Sequence, residues 1–135
     1  MRGRCPSGAI VSESQEGWLI DEYRDASGKS HIRKFLSNLK GRDKVEAWAL
    51  ITLLGERGNQ IRPPKSGTLG EALFELRGHQ VRIFYMFRPG RRITLLDGIV
   101  KKQDKIPSKV LERMRKYQRE ISAMNAKDAK AKRTP

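Results

Sequence analysis

Two carboxylates and four of the cations between residues 75 and 102 could act together: Glu75, Arg77, Arg82, Asp97, Lys101 and Lys102. Fixed cations suit a phosphoryl-transfer transition state, where negative charge grows on the non-bridging oxygens. RNA brings its own nucleophile, the 2′-hydroxyl, so a protein that cuts it needs in-line positioning, charge stabilisation and proton transfer. A lysine crowded by other cations loses its proton more easily and can serve as base or acid. The region offers no nucleophile dyad, and Gly67, Gly70 and Gly78 match the spacing of neither common nucleotide motif. The competing reading is a cross-strand ion-pair row, Glu75–Arg82–Asp97, that only offsets its own burial.

For these groups to meet, strands must run side by side. The stretch LGEALFELRGHQVRIFYMFRPGRRITLLDGIVKK predicts three antiparallel strands, Leu69–Arg77, Gln80–Phe87 and Arg92–Lys102, each rich in β-branched, aromatic and aliphatic residues. Gly78-His79 predicts a two-residue type II′ connection, and Pro89-Gly90 a second turn. This register sets Glu75 opposite Arg82, and Arg82 opposite Asp97. Alternation then predicts a core face of Phe74, Leu76, Val81, Ile83, Tyr85, Leu96 and Val100. The other face carries Leu73, Phe84, Met86, Ile93 and Leu95, and gathers Glu75, Arg77, Arg82, Asp97 and Lys101 at one end. A β-bulge would move part of a strand to the wrong face.

The fold class read from the whole chain is α+β: a helix hairpin packed on a small antiparallel sheet (an N-terminal strand plus the three-stranded meander), with a C-terminal helix. Trp18-Leu19-Ile20 with Tyr23 predicts the N-terminal strand, beside the meander. Ser30 caps a helix to about Leu39, with Ile32, Phe35, Leu36 and Leu39 on one stripe. Asp43 caps a second to about Arg57, with Val45, Trp48, Ile51, Thr52 and Leu54-Gly55 on its stripe, and Gly41 and Gly58 are stops. Both tryptophans read as core. Residues 60–68 read as a loop whose Arg62 and Lys65 face a polyanion or solvent. Pro107 and Ser108 open a last helix to about Ala123. Val110, Leu111, Met114, Tyr117 and Ile121 form its apolar stripe, and Arg113 lies among the cations on its other side. Residues 1–16 are expected to be a loose extension, 17–124 the domain, and 125–135 a basic, disordered tail.

The net charge is +14, from 29 Lys plus Arg against 15 Asp plus Glu. Twelve basic residues face four acidic ones from Lys101 onward, so more than half of the excess lies in the last quarter of the chain. A nucleic-acid partner fits this better than a merely solvated basic surface or an acidic protein. Arg62, Lys65, His79, Lys105 and Arg113 are the candidate RNA contacts, although a histidine in a tight turn is ordinarily just solvated. The single cysteine, Cys5, excludes an internal disulfide and a Cys-rich zinc site. His31 and His79 do not suggest a metal cluster. No apolar run reaches the length of a membrane span, and no signal-peptide core follows the basic start, so a cytoplasmic protein is expected.

The segments GEALFELR (70–77), VRIFY (81–85) and LLDGIVKKQDKIP (95–107), with YRDASGKS (23–30) and Phe35-Leu36 before them, resemble the RelE/ParE toxin superfamily, and most of all its phage-derived, HigB-like branch. The resemblance runs from about Trp18 to Ile121. It implies a RelE-like fold and a toxin of a type II toxin–antitoxin pair. It also implies cleavage of mRNA in the ribosomal A site by 2′-hydroxyl attack, without metal or other cofactor, and inhibition of translation. The implied partners are the ribosome, its message and a helix-turn-helix antitoxin; no membrane is involved. Arg82 matches the strand arginine that contacts the scissile phosphate in RelE-like toxins. Lys101 and Lys102 match the basic pair ending the last strand, and Arg77 the basic residue ending the preceding one. Asp97 would orient Arg82 or a proton-transfer group. Where relatives often carry a Tyr or His after the last strand, this chain has Ile106-Pro107-Ser108, so the general base is unassigned. ParE-type relatives share the fold but inhibit gyrase, which leaves a non-enzymatic toxin or nucleic-acid-binding protein as the alternative.

Overall fold

The strands expected within residues 69–102 form, with the first of them cut in two. The computed structural model describes residues 10–11, 17–101 and 106–133, and side chains over 17–101 and 106–123. In chain order the elements are β1 (Ile10–Val11), β2 (Leu19–Glu22), α1 (His31–Asn38), α2 (Gly41–Arg57), a 3-10 turn (Gly58–Gln60), β3 (Ser66–Gly70), β4 (Leu73–Arg77), β5 (Val81–Arg88), β6 (Arg92–Val100) and α3 (Ser108–Arg133). The sheet order is β1-β2-β6-β5-β4-β3. It amounts to a five-stranded mixed sheet with the two-residue β1 added at its edge. The N-terminal strand lies beside the meander as expected, but β2 runs parallel to β6, so the sheet is not purely antiparallel. The intervening helices and strands supply the crossover that a parallel pair requires.

Residues 60–68 are not all loop. Ser66–Gly70 pairs antiparallel with β4, and the chain reverses at Glu71 and Ala72, both with positive φ. Neither residue type signals such a backbone, so the sequence read through the turn as one strand. The β4–β5 turn is also shifted. Gly78 and Val81 are joined by a backbone hydrogen bond, leaving His79-Gln80 as the central pair, and Glu75 stands opposite Phe84. Gly78 is small for another reason: the Glu46 carboxyl group occupies the place its side chain would take.

The two faces of the sheet carry separate apolar clusters. On one, α1 and α2 pack through Ile32, Leu36, Ala47, Leu50, Ile51 and Leu54 onto Leu76, Val81, Ile83, Tyr85, Ile93 and Leu95. On the other, Met114, Tyr117 and Ile121 of α3 cover Tyr23, Leu73, Phe84 and Leu96. Leu96 therefore sits on the α3 side, and Ile93 and Leu95 on the helix-hairpin side, the reverse of the expected assignment. A bulge between Tyr85↔Leu95 and Phe84↔Asp97 causes the exchange. Beyond the bulge Asp97 and Val100 keep their expected faces.

Ser30 caps α1, its hydroxyl accepting the Arg33 N–H at 3.3 Å. Helix α2 starts at Gly41, two residues before the expected cap, and buries Ala47, Leu50, Ile51, Leu54 and Gly55. That stripe leaves Val45 and Thr52 in solvent and Trp48 42% exposed, so none of the three is core. Trp18 is partly buried against the core, under the Arg91 guanidinium. Helix α3 runs ten residues past the expected Ala123, through Ala- and Lys-rich sequence of high helix propensity.

Candidate active site

The end of β4, the start of β5 and the end of β6 lie together, and side-chain alternation gives them one shared polar patch. Glu75 is buried between two arginines. Its Oε2 accepts from Arg77 Nε at 3.1 Å, and its Oε1 lies 3.9 Å from Arg82 Nε. Those last two atoms are buried without a hydrogen-bond partner and interact only through charge. Arg82 is 12% exposed, and its Nη1 donates to the carbonyls of Gly78 at 2.8 Å and Val81 at 3.0 Å, which curls it against the β4–β5 turn. Arg77, 38% exposed, lies over Gly67 and reaches the Pro64 carbonyl at 3.4 Å. Glycine at 67 makes room for it.

Asp97 does not join this pair. The bulge sets Arg82 opposite Ile99, and Asp97 instead accepts the Gly98 N–H at 2.7 Å and Arg113 Nη2 at 3.2 Å. The expected Glu75–Arg82–Asp97 row is thus replaced by two units on one face: Arg77–Glu75–Arg82, and Asp97–Arg113. Burial pushes the Asp97 carboxyl above the ordinary carboxylate range, against the pull of the Gly98 N–H and Arg113. A carboxyl with a raised native pKa binds its proton more tightly folded than unfolded. Its contribution to stability is therefore fullest at low pH and is lost as pH rises from the ordinary aspartate value through the folded one. Asp97→Asn, which keeps the shape and an acceptor for Gly98, is expected to stabilise the protein by about 0.5–2 kcal/mol at pH 7. Urea titrations at neutral pH and near pH 3 check this: the two proteins should converge in acid. A variant less stable at pH 7 would mean that the Arg113 attraction outweighs the burial cost.

Beside Asp97 stands a cluster that the sequence did not single out. His31, the first residue of α1, stacks on Tyr117 of α3 with ring centroids 5.1 Å apart, and Tyr117 stacks on Tyr23 at 4.6 Å. His31 Nε2 lies 3.0 Å from Asp25 Oδ2. The other oxygen of Asp25 accepts the Ser27 hydroxyl at 2.6 Å and the Ser27 and Lys29 N–H groups at 3.0 Å. Those bonds, the Ser27 hydroxyl foremost, bring the Asp25 carboxyl down to about 2. Tyr23 donates to Glu120, and burial, reinforced by that carboxylate, pushes its phenol up. Burial likewise raises the phenol of Tyr117. The available signal was the Asp25–His31 spacing around the Gly28 turn. Tyr117 reads from sequence only as part of a helix stripe, and it is indeed buried.

The remaining candidates are dispersed. Lys101 falls on the polar face by register, its N–H donating to the Gln80 carbonyl at 2.6 Å. Arg62 and Lys65 are exposed, on the segment whose Lys65 carbonyl accepts the Arg77 N–H at 2.7 Å. His79 is exposed at the turn, its backbone N–H held by Glu46 at 2.8 Å. Lys102 and Lys105 lie outside the described residues. Among the described residues no group of His, Cys, Asp and Glu could hold a metal ion, and no helix is long and apolar enough to cross a membrane. A groove of about 1110 Å³ opens between β2 and the two helices, lined by Leu19, Ile32, Leu36 and Trp48 among others, but none of Glu75, Arg77, Arg82, Asp97 or Arg113 lines it.

A comparison with curated proteins returned no match. The model of the family described as Phage derived protein Gp49-like (DUF891) matches residues 34–119, which span α1 to α3 and include Glu75, Arg77, Arg82, Asp97 and Arg113. With well over half of its length matched, this chain belongs to the Gp49-like family of phage-derived proteins.

Proposed function

We propose that this protein is a RelE/HigB-type toxin that cleaves messenger RNA on the ribosome, neutralised by a helix-turn-helix antitoxin. Membership of the Gp49-like family supports the toxin reading. The observation that carries the chemistry is the convergence of Arg77 and Arg82 on Glu75, on the sheet face that also bears Asp97 and Arg113. A phosphate diester lodged there meets cations positioned before it arrives, which is what stabilises a phosphorane-like transition state at low reorganisation cost. The substrate's 2′-oxygen attacks phosphorus, the P–O5′ bond breaks, and the products are a 2′,3′-cyclic phosphate and a 5′-hydroxyl. The net charge of +14 favours association with a polyanion and makes it dependent on salt.

Mapping 5′-hydroxyl RNA ends after brief induction tests the proposal. Codon-phased ends are expected with the native protein, and about 10²–10³-fold fewer with Arg82→Ala or Lys101→Ala. Arrest of growth with intact messages and damaged DNA would favour a gyrase-directed toxin of the same fold. Equal cleavage by both variants would place the active site elsewhere.

A further inference from the structure

The proposed reaction needs a group to take the 2′-hydroxyl proton, and the two arginines of the sheet patch are poor at this because a guanidinium offers donors and no acceptor. We infer that His31 is the proton-transfer residue of this site, accepting the 2′-hydroxyl proton on Nδ1. The inference rests on the nuclease reading and adds to it the identity of the base.

Three features of the geometry support it. Asp25 is held by the Ser27 and Lys29 bonds with one oxygen facing His31 Nε2 at 3.0 Å. Its lowered pKa leaves it an anion, able only to accept, so Nε2 carries the hydrogen and Nδ1 is the basic nitrogen. This is the carboxylate–imidazole arrangement that orients a general base and stabilises the imidazolium it becomes. Second, the ring is fixed by stacking on Tyr117 yet remains 23% exposed, so it is both oriented and open to a substrate. Third, the location fits. Asp97 interacts electrostatically with His31, and Asp97 is the diagonal cross-strand neighbour of Arg82, roughly 7–8 Å away between Cα positions. Asp97 is thus a neighbour of both the proposed base and the strand that carries the phosphate-binding arginine.

The groups facing His31 are Tyr23 and Asp25 from the segment after β2, Asp97 from β6 and Tyr117 from α3, with Arg113 of α3 paired to Asp97. In the proposed step the 2′-oxygen loses its proton to Nδ1 as the O2′–P bond forms. The P–O5′ bond breaks as O5′ takes a proton from solvent, and the imidazolium later returns its proton to water.

Single-turnover cleavage of a ribosome-bound message by the purified full-length protein, from pH 5 to 9, tests this. His31→Gln removes the base. His31→Phe also removes it while keeping a ring to stack on Tyr117. Both are expected to cleave at least about a hundredfold more slowly. Both should also lose the limb of the pH–rate profile that the general base gives. Thermal melting and co-sedimentation with ribosomes should stay those of the native protein for His31→Phe, so that variant decides alone if His31→Gln folds poorly. Native cleavage with His31→Phe within threefold and an unchanged profile would overturn the inference and leave the nuclease reading intact. No cleavage by the native protein would remove both.

Discussion

Glu75→Ala is expected to lower the unfolding free energy by about 3–5 kcal/mol, a large share of what holds a domain of this size together. Glu75 is buried at the centre of β4, opposite Phe84, and is the only carboxylate among the described residues paired with Arg82. Removing it leaves the Arg82 guanidinium in a poorly solvated place with only the Gly78 and Val81 carbonyls to receive it. An uncompensated buried cation costs far more than an exposed ion pair gains. Arg77 shares the same carboxylate but reaches solvent, so Arg77→Ala is expected to cost no more than about 1 kcal/mol. Glu75→Gln keeps the volume and an acceptor for Arg77, and should fall between the two. Urea unfolding separates these cases through the midpoint at unchanged slope. If Glu75→Ala and Arg77→Ala cost the same small amount, the backbone carbonyls alone hold Arg82, and Glu75 has no structural task.

The same pair bears on activity. Glu75 fixes two cations that the proposed reaction needs, but it also neutralises part of their charge. An arginine held this way is rigid and partly masked, which suits a phosphate diester whose two non-bridging oxygens can be shared between Arg77 and Arg82. It suits proton transfer badly. That division places cation chemistry on the sheet and leaves the proton to a group elsewhere, which is where His31 enters.

Much of this arrangement could be read from residue order. Strict alternation from Val81 to Phe87 fixed the faces of β5, and the Pro-Gly pair located the β5–β6 turn. Glu75, Arg77 and Arg82 were brought to one patch because a two-residue shift of register preserves the face of every side chain. What failed was local and has physical causes. Leu95 and Leu96 are both apolar and both buried, so nothing in their types reveals that a bulge sends them to opposite clusters. Glu71 and Ala72 adopt positive φ without a glycine or asparagine to announce it. Ile51, Leu54 and Gly55 of the expected α2 stripe are buried, but its first half is misplaced because Val45 and Trp48 look like core anchors, whereas Ala47 does not. The cluster around His31 was out of reach for a different reason. Its members come from the segment after β2, α1, β6 and α3, and no spacing along the chain foretells that Tyr117 will turn toward a histidine 86 positions earlier.

Gly98→Ala is expected to destabilise the protein by about 2–3 kcal/mol, and Phe35→Ala to cost less in that background than it does alone. Gly98 lies on β6 opposite Ile83, immediately after Asp97, where the Phe35 ring of α1 rests directly on the backbone. A methyl group there would overlap the ring and stand 3.0 Å from the Arg82 carbonyl. The glycine is therefore required for space, not for an unusual φ. Phe35→Ala alone should cost about 3 kcal/mol through lost packing. If the clash is the cause, the double variant will be more stable than the sum of the two losses by at least about 1 kcal/mol, as measured by a double-mutant cycle in urea. Strict additivity would mean that the strand itself, through the Arg82 carbonyl, rejects the side chain. The contact matters beyond stability because α1 carries His31 at its first turn and β6 carries Asp97 beside the glycine. Pushing α1 off β6 separates the histidine from the sheet cations, so Gly98→Ala should weaken the proposed RNA cleavage even under conditions where it remains folded, and adding Phe35→Ala should recover part of that cleavage under conditions where the double variant is folded.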